Sequence, residues 1–234
     1  MEPAARMFTD CIVTTVETRL LVDETPGEAP VRGFLHAGRA SDGFLVLPHG
    51  AGGNCNAQLL VALAEKSAAS GLSVLRCDLP YRQRRPRGAP SPSDAKTDQA
   101  GLRRAVTLMN ERFTGPAFLG GSSYGGRQAS MLVASEPALV EGLLLLSYPL
   151  HPPGRPTQLR TAHFSSLRTP VLFVTGTKDA FGSIAELEAA IKLIPVRKKL
   201  VPIDGAPHGL SQKGKLDEVV ETAVREFKTF FLAK

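Results

Sequence analysis

Apolar residues in this chain gather into short runs separated by polar turns, and the runs alternate between strand-like and helix-like periods. Phe44 to Leu47 is uninterrupted apolar sequence, as expected of a strand covered on both faces. Gln58 to Ala69, rich in Ala and Leu, predicts a helix that stops at Gly71. Leu72 to Leu79 predicts the next strand and Asp94 to Phe113 the next helix, with Pro80 to Pro92, rich in Pro, Arg, Gly and Ser, as a loop between them. The second half repeats this rhythm. Ala117 to Gly120 is a short strand, and a helix over Tyr124 to Ser135 ends before Pro137. Val140 to Ser147 and Val171 to Thr175 are strands, Ile184 to Leu193 is helical, and Lys199 to Ile203 is a final strand. Leu216 to Phe231 closes the chain as an amphipathic helix with Val219, Val220, Val224, Phe227 and Phe231 on one face. The start is β-rich instead: Cys11 to Val22 alternates, and Val31 to His36 follows a Thr25-Pro26-Gly27 turn.

Strand and helix in alternation predict an α/β fold with a doubly wound, mostly parallel central sheet flanked by helices on both faces. The 234 residues suit one domain over 1–234, long enough to bury a sizeable core. Ligands of such sheets bind at the carboxyl ends of the strands. Candidate chemistry is therefore sought there.

Charge and cysteine content change this picture little. The net charge of +6 comes largely from Arg82, Arg84, Arg85 and Arg87 in one loop and Arg197, Lys198 and Lys199 in another. No helix is striped with Lys and Arg, and no aromatic residues interleave with basic ones, so a nucleic-acid partner is not expected. Cys11, Cys55 and Cys77 show neither disulfide nor zinc spacing, and Cys77 reads as a small buried hydrophobe. Met1 to Thr18 carries Glu2, Arg6, Asp10 and Glu17 and so lacks the apolar core of a signal peptide. Leu143 to Leu146 is too short to span a bilayer, so a cytoplasmic protein with no membrane partner is expected.

Gly121-Ser122-Ser123-Tyr124-Gly125 matches the pattern G-x-S-x-G. That spacing serves a strained strand-to-helix turn, where residues without side chains leave room for a serine hydroxyl to point out of the sheet. Random placement of the serines and glycines would yield about 0.13 such matches, so the pattern alone is weak. Its context strengthens it, because it directly follows one predicted strand and directly precedes a helix. A Gly-rich turn that merely packs tightly is the rival interpretation.

Acid and base partners follow in the order the mechanism requires. Asp179 leaves the carboxyl end of Val171 to Thr175, and His208 lies in the loop Asp204-Gly205-Ala206-Pro207-His208-Gly209 after the last strand. In that arrangement His208 takes the proton of Ser123 while Asp179 fixes its tautomer. Taken singly, Asp179 is also a natural helix N-cap and His208 a solvated loop residue. Asp204 is too close to His208 in one loop, and His151 and His163 precede Asp179, which is the wrong order. Leu47-Pro48-His49-Gly50-Ala51-Gly52-Gly53-Asn54 leaves an early central strand. It matches an oxyanion loop, with the amides of Ala51 and Tyr124 as donors. It lacks the G-K-[ST] ending of a phosphate-binding loop.

With these elements in place the sequence resembles the α/β-hydrolase superfamily over nearly its whole length. The strings Pro48-His49-Gly50-Ala51-Gly52-Gly53, Asp78-Leu79-Pro80-Tyr81-Arg82 and Gly120-Gly121-Ser122-Ser123-Tyr124-Gly125-Gly126-Arg127 resemble small capless predicted hydrolases related to dienelactone hydrolases. The Ser-Tyr-Gly-Gly elbow is also similar to that of prolyl-oligopeptidase-type peptidases, whose propeller domain this chain lacks. The resemblance implies a serine hydrolase of small esters, thioesters or amides, a triad of Ser123, Asp179 and His208, and no cofactor or metal. Only Tyr148 to Arg168 separates two strands where such proteins insert a cap, so no cap domain is expected. Arg82, Arg84 and Arg85 leave a strand at its carboxyl end and are candidates to recruit an anionic substrate, with a solvated surface loop as the alternative. Arg127 is read as structural. A non-catalytic interaction protein built on the same fold is the rival from another class.

Overall fold

The computed structural model describes residues 17–39, 42–211 and 214–233. Its centre is an eight-stranded sheet: β1 (Thr18–Asp23), β2 (Val31–His36), β3 (Phe44–Pro48), β4 (Ser73–Asp78), β5 (Ala117–Ser122), β6 (Gly142–Leu146), β7 (Val171–Gly176) and β8 (Lys198–Ile203). The order is β1-β2-β4-β3-β5-β6-β7-β8. β2 runs antiparallel to both β1 and β4, and every pair from β4 through β8 is parallel. The expected mostly parallel sheet is present. Residues 11–16 of the predicted first strand lie outside the described residues, as does Cys11.

Strict alternation along the central strands sorts their side chains between two cores. Phe44, Val46, Leu119, Leu143, Leu145 and Phe173 face one side, packed with residues of α3 (Asp94–Asn110), α4 (Tyr124–Ser135) and α5 (Ile184–Ile191). Leu45, Leu47, Phe118, Leu144, Leu146, Leu172 and Val174 face the other, packed with α1 (Gln58–Ala69) and α6 (Leu216–Phe227). This two-sided burial is why these strands read as unbroken apolar runs rather than as alternation. Each fully buried Leu or Phe contributes roughly 1.5–3 kcal/mol of transfer free energy, so the central strands anchor whatever their ends carry.

Boundaries differ from expectation where local chemistry intervenes. The stretch predicted as a loop begins with a short helix, α2 (Pro80–Arg84), whose first position is Pro80. Proline fits a helix start because the amide it lacks would be unpaired there anyway. α5 is capped by Ser183, which exchanges hydrogen bonds with Glu186 in a capping box, so Asp179 is not the N-cap. The C-terminal helix widens into a π turn over Lys228–Leu232. Cys77 is buried and free, and burial pushes its thiol up. Between β6 and β7, residues 147–170 hold one 3-10 turn, Phe164–Ser166, and no cap domain. Among the described residues, no helix is long and apolar enough to cross a membrane.

Candidate active site

β5 ends and α4 begins at Ser123, whose backbone sits at φ 49° and ψ −113°. A non-glycine residue in this region costs roughly 1–3 kcal/mol and persists only when its surroundings enforce it. Here the enforcing contacts are visible: the Ser123 amide donates to Leu146 O at 2.8 Å, and its carbonyl accepts from the Arg127 amide at 2.9 Å. The flanking glycines are required sterically. A Cβ on Gly121, at φ +147°, would fall 2.6 Å from Gly126 N, and one on Gly125 would fall 2.5 Å from His49 O. The second approach matters most, because it brings the elbow directly against the loop after β3.

Asp179 and His208 arrive at the same sheet edge from the carboxyl ends of β7 and β8. His208 Nε2 lies 2.8 Å from Ser123 Oγ, and Nδ1 lies 2.9 and 2.8 Å from the two Asp179 oxygens. A carboxylate only accepts, so Nδ1 carries the proton and Nε2 is left to accept from the serine hydroxyl. Asp179 is 8% exposed, yet its remaining acceptor capacity is used: Phe181 N donates to Oδ1 at 2.8 Å and Thr175 Oγ1 to Oδ2 at 3.3 Å. The Phe181 ring stacks on the imidazole with centroids 3.9 Å apart. Nothing in the sequence pattern marked Phe181, since its role depends on the turn that follows Asp179.

Ser123, His208, Ala51, Tyr124 and Phe181 line one cleft of about 470 Å³, a volume suited to a small organic ligand. Among the described residues, neither the Ala51 nor the Tyr124 amide donates to another protein atom. The loop that carries Ala51 is held from behind. Leu79 N donates to Nε2 of the buried His49 at 3.2 Å, which leaves its proton on Nδ1, 2.7 Å from Gly50 O. Burial also pushes the His49 pKa down, so the ring stays neutral.

Arg82, Arg84 and Arg85 do not line this cleft. Arg82 is buried and turns inward, donating from Nε to Gly53 O at 2.8 Å and from Nη2 to Ala51 O at 3.1 Å. Arg84 and Arg85 pair with the two oxygens of Asp94 at 2.7 and 2.5 Å, and hydrogen bonds from the Ser91 amide and hydroxyl, with the Arg85 cation, hold the Asp94 carboxyl down at about 2. The geometry thus gives these three candidates for recruiting an anionic substrate loop-holding contacts outside the cleft. The cleft's cations are Arg127, from α4, and Arg160, from the β6–β7 connection.

One further residue joins the halves of the site from within the core. Asp98, fully buried on α3, accepts from Tyr81 N at 2.9 Å and from the Tyr124 hydroxyl at 2.8 Å. Burial raises the Asp98 pKa, and it raises that of Tyr124 as well, helped by their hydrogen bond. Sequence gave no signal for Asp98, which stands mid-helix with no motif around it. Among the described residues, no group of three or more His, Cys, Asp or Glu side chains converges to hold a metal ion.

Comparison with known proteins agrees with this architecture. Residues 41–231 match the family model described as an alpha/beta hydrolase domain. The fold is similar to that of a dienelactone hydrolase from Anabaena variabilis, at 22% identity and a TM-score of 0.72, covering 93% of this chain and 99% of that one. It is also similar to Est1E from Butyrivibrio proteoclasticus, at 19% identity and a TM-score of 0.74, covering 92% and 99%. A serine hydrolase without a lid from Xanthomonas campestris is similar at 17% identity and a TM-score of 0.68, covering 93% and 97%. From the family match and the fold together, the chain belongs to the α/β-hydrolase domain family and is a capless hydrolase.

Proposed function

We propose that this protein is a cytoplasmic, single-domain serine hydrolase. It cleaves a small carboxylic ester, thioester or amide through an acyl-enzyme on Ser123 and needs no cofactor. One observation carries the reading: the His208 imidazole bridges Ser123 Oγ at 2.8 Å and the Asp179 carboxylate at 2.8 and 2.9 Å. Ser123 Oγ attacks the substrate carbonyl as Nε2 accepts its proton, and Asp179 stabilises the imidazolium that forms. The tetrahedral oxyanion then sits between the Ala51 and Tyr124 amides, where such donors are each worth about 10²–10³ in rate. Collapse releases the leaving group with the proton from His208. Water, activated by the same base, hydrolyses the acyl-enzyme and restores the serine.

A fluorophosphonate probe is expected to label the protein at Ser123, and p-nitrophenyl acetate is expected to turn over. Both are lost in Ser123→Ala. A folded wild-type protein that does neither contradicts the reading and favours an interaction role for the fold. Est1E from Butyrivibrio proteoclasticus has been seen with ferulic acid bound, which supports a small organic acid or its ester as the kind of ligand such a cleft admits.

A further inference from the structure

The cleft beside Ser123 holds two arginines that acyl transfer does not use. Arg127 stands one helical turn beyond Ser123 on α4. Arg160 is fixed through its backbone: its amide donates to Leu150 O at 2.8 Å, and its carbonyl accepts from the Tyr148 hydroxyl at 2.6 Å. Both line the cleft. Arg160 Nη1 donates weakly to Pro149 O at 3.3 Å, while Arg127 Nε is buried with no hydrogen-bond partner. Among the described residues neither guanidinium pairs with a carboxylate, whereas Arg84, Arg85, Arg103 and Arg104 all do.

Among the described residues, their surroundings supply no compensating anion. His163 is kept neutral, its pKa lowered to about 4 by burial and by the Arg127 charge. Burial and Arg127 together also depress the Arg160 guanidinium, so the two cations sense each other. Like charges gathered in a partly enclosed cleft repel, and a buried donor without an acceptor costs free energy. A bound oxyanion removes both costs with charge-assisted, bidentate hydrogen bonds.

We propose that Arg127 and Arg160 form an anion-binding subsite, and that the natural substrate is an ester or thioester bearing a carboxylate. The inference rests on the serine-hydrolase reading and deepens it. Ser123, Arg127 and Arg160 line the same small cleft, which sets a carboxylate held by the arginines a few carbons from the scissile carbonyl. Bond making is unaltered: Ser123 Oγ gains the acyl group, the alcohol or thiol leaves with a proton, and water releases the acid.

The test compares kcat/KM within two pairs of esters. Mono-p-nitrophenyl glutarate against p-nitrophenyl pentanoate places the charge on the acyl side. 4-Acetoxybutanoate against butyl acetate places it on the alcohol side. In the wild-type protein the anionic member of at least one pair is expected to be favoured about 10- to 100-fold. That ratio falls toward unity in Arg127→Gln and in Arg160→Gln, and Arg127→Lys retains part of it. Glutarate competes with p-nitrophenyl pentanoate more strongly than pentanoate does. Turnover of the neutral esters with no anionic preference in either pair and no competition by glutarate overturns the subsite, independently of any variant's folding, and leaves the hydrolase reading intact. Absence of all turnover together with absence of fluorophosphonate labelling fells both.

Discussion

The Tyr81 hydroxyl stands between the two carbonyls that flank the Ala51 amide, 2.8 Å from Ala51 O and 3.4 Å from Gly50 O. A trans peptide is planar, so fixing the Gly50 carbonyl also fixes the direction of the Ala51 N–H that opposes it. Tyr81 is itself fully buried, edge-on to both His49 and Tyr124 at centroid distances of 5.7 and 5.8 Å. Tyr81→Phe keeps that packing and removes only the hydroxyl. A hydrogen bond of this kind is worth about 1 kcal/mol. We therefore expect kcat for p-nitrophenyl acetate to fall about 5-fold with KM little changed, as measured by steady-state kinetics. A change confined to KM would argue that the loop does not need this clamp.

Asp98 ties Tyr81 to Tyr124 from within the core. In Asp98→Ala both donors lose their acceptor in a buried site, and the expected loss is about 2–4 kcal/mol of stability by urea unfolding. Asp98→Asn keeps one acceptor oxygen and should lose less. Equal stability of the wild type and Asp98→Ala would show that the network carries no weight.

Gly125→Ala probes the contact between the elbow and the loop after β3, because the new methyl would lie 2.5 Å from His49 O. Backbone must shift to admit it, at a cost of about 1–3 kcal/mol, and ester turnover should fall with it. Gly52→Ala in the same loop meets nothing within 4 Å and should stay within about 0.5 kcal/mol of the wild type. Thermal unfolding of the two variants distinguishes a steric requirement from a general preference for glycine.

Stability should decline as pH falls from about 6.5 to about 4, through buried histidines kept neutral. His36 is 1% exposed and its Nε2 accepts from Arg76 Nε at 2.7 Å, so burial and that cation lower its pKa from 6.5 to about 4. In this window the unfolded imidazole takes up a proton and the folded one does not. The contribution is therefore complete above the unfolded value and lost on the way down to the folded one. Each such histidine adds a slope of up to about 1.4 kcal/mol per pH unit. His163, also lowered to about 4, acts in the same direction. Urea unfolding between pH 7 and pH 5 should show the decline, with a shallower slope in His36→Gln. A flat profile would refute the neutral, buried assignment.

Much of this protein was legible in its residue order for a specific physical reason. Strands buried on both faces must be apolar throughout, so Phe44–Leu47, Leu143–Leu146 and Val171–Val174 announce themselves and locate the sheet. Ser123, Asp179 and His208 each stand just beyond such a run, and a parallel sheet sends all its carboxyl ends to one edge. Their convergence was therefore implied by order alone, as was the place of the loop at Ala51. Side-chain direction in irregular segments was not. The stretch from Arg82 to Arg85 has the composition of a solvated loop, and only folding brings Asp94 and the carbonyls of Ala51 and Gly53 within reach of its guanidiniums. Arg127 and Arg160 come from separate elements and meet at the cleft because α4 and the β6–β7 connection pack over the same sheet edge. Phe181 and Asp98 likewise take their roles from contacts between distant segments. Periodicity fixes which residues are buried and which strand ends carry loops, but partners that meet across the fold are decided by tertiary packing.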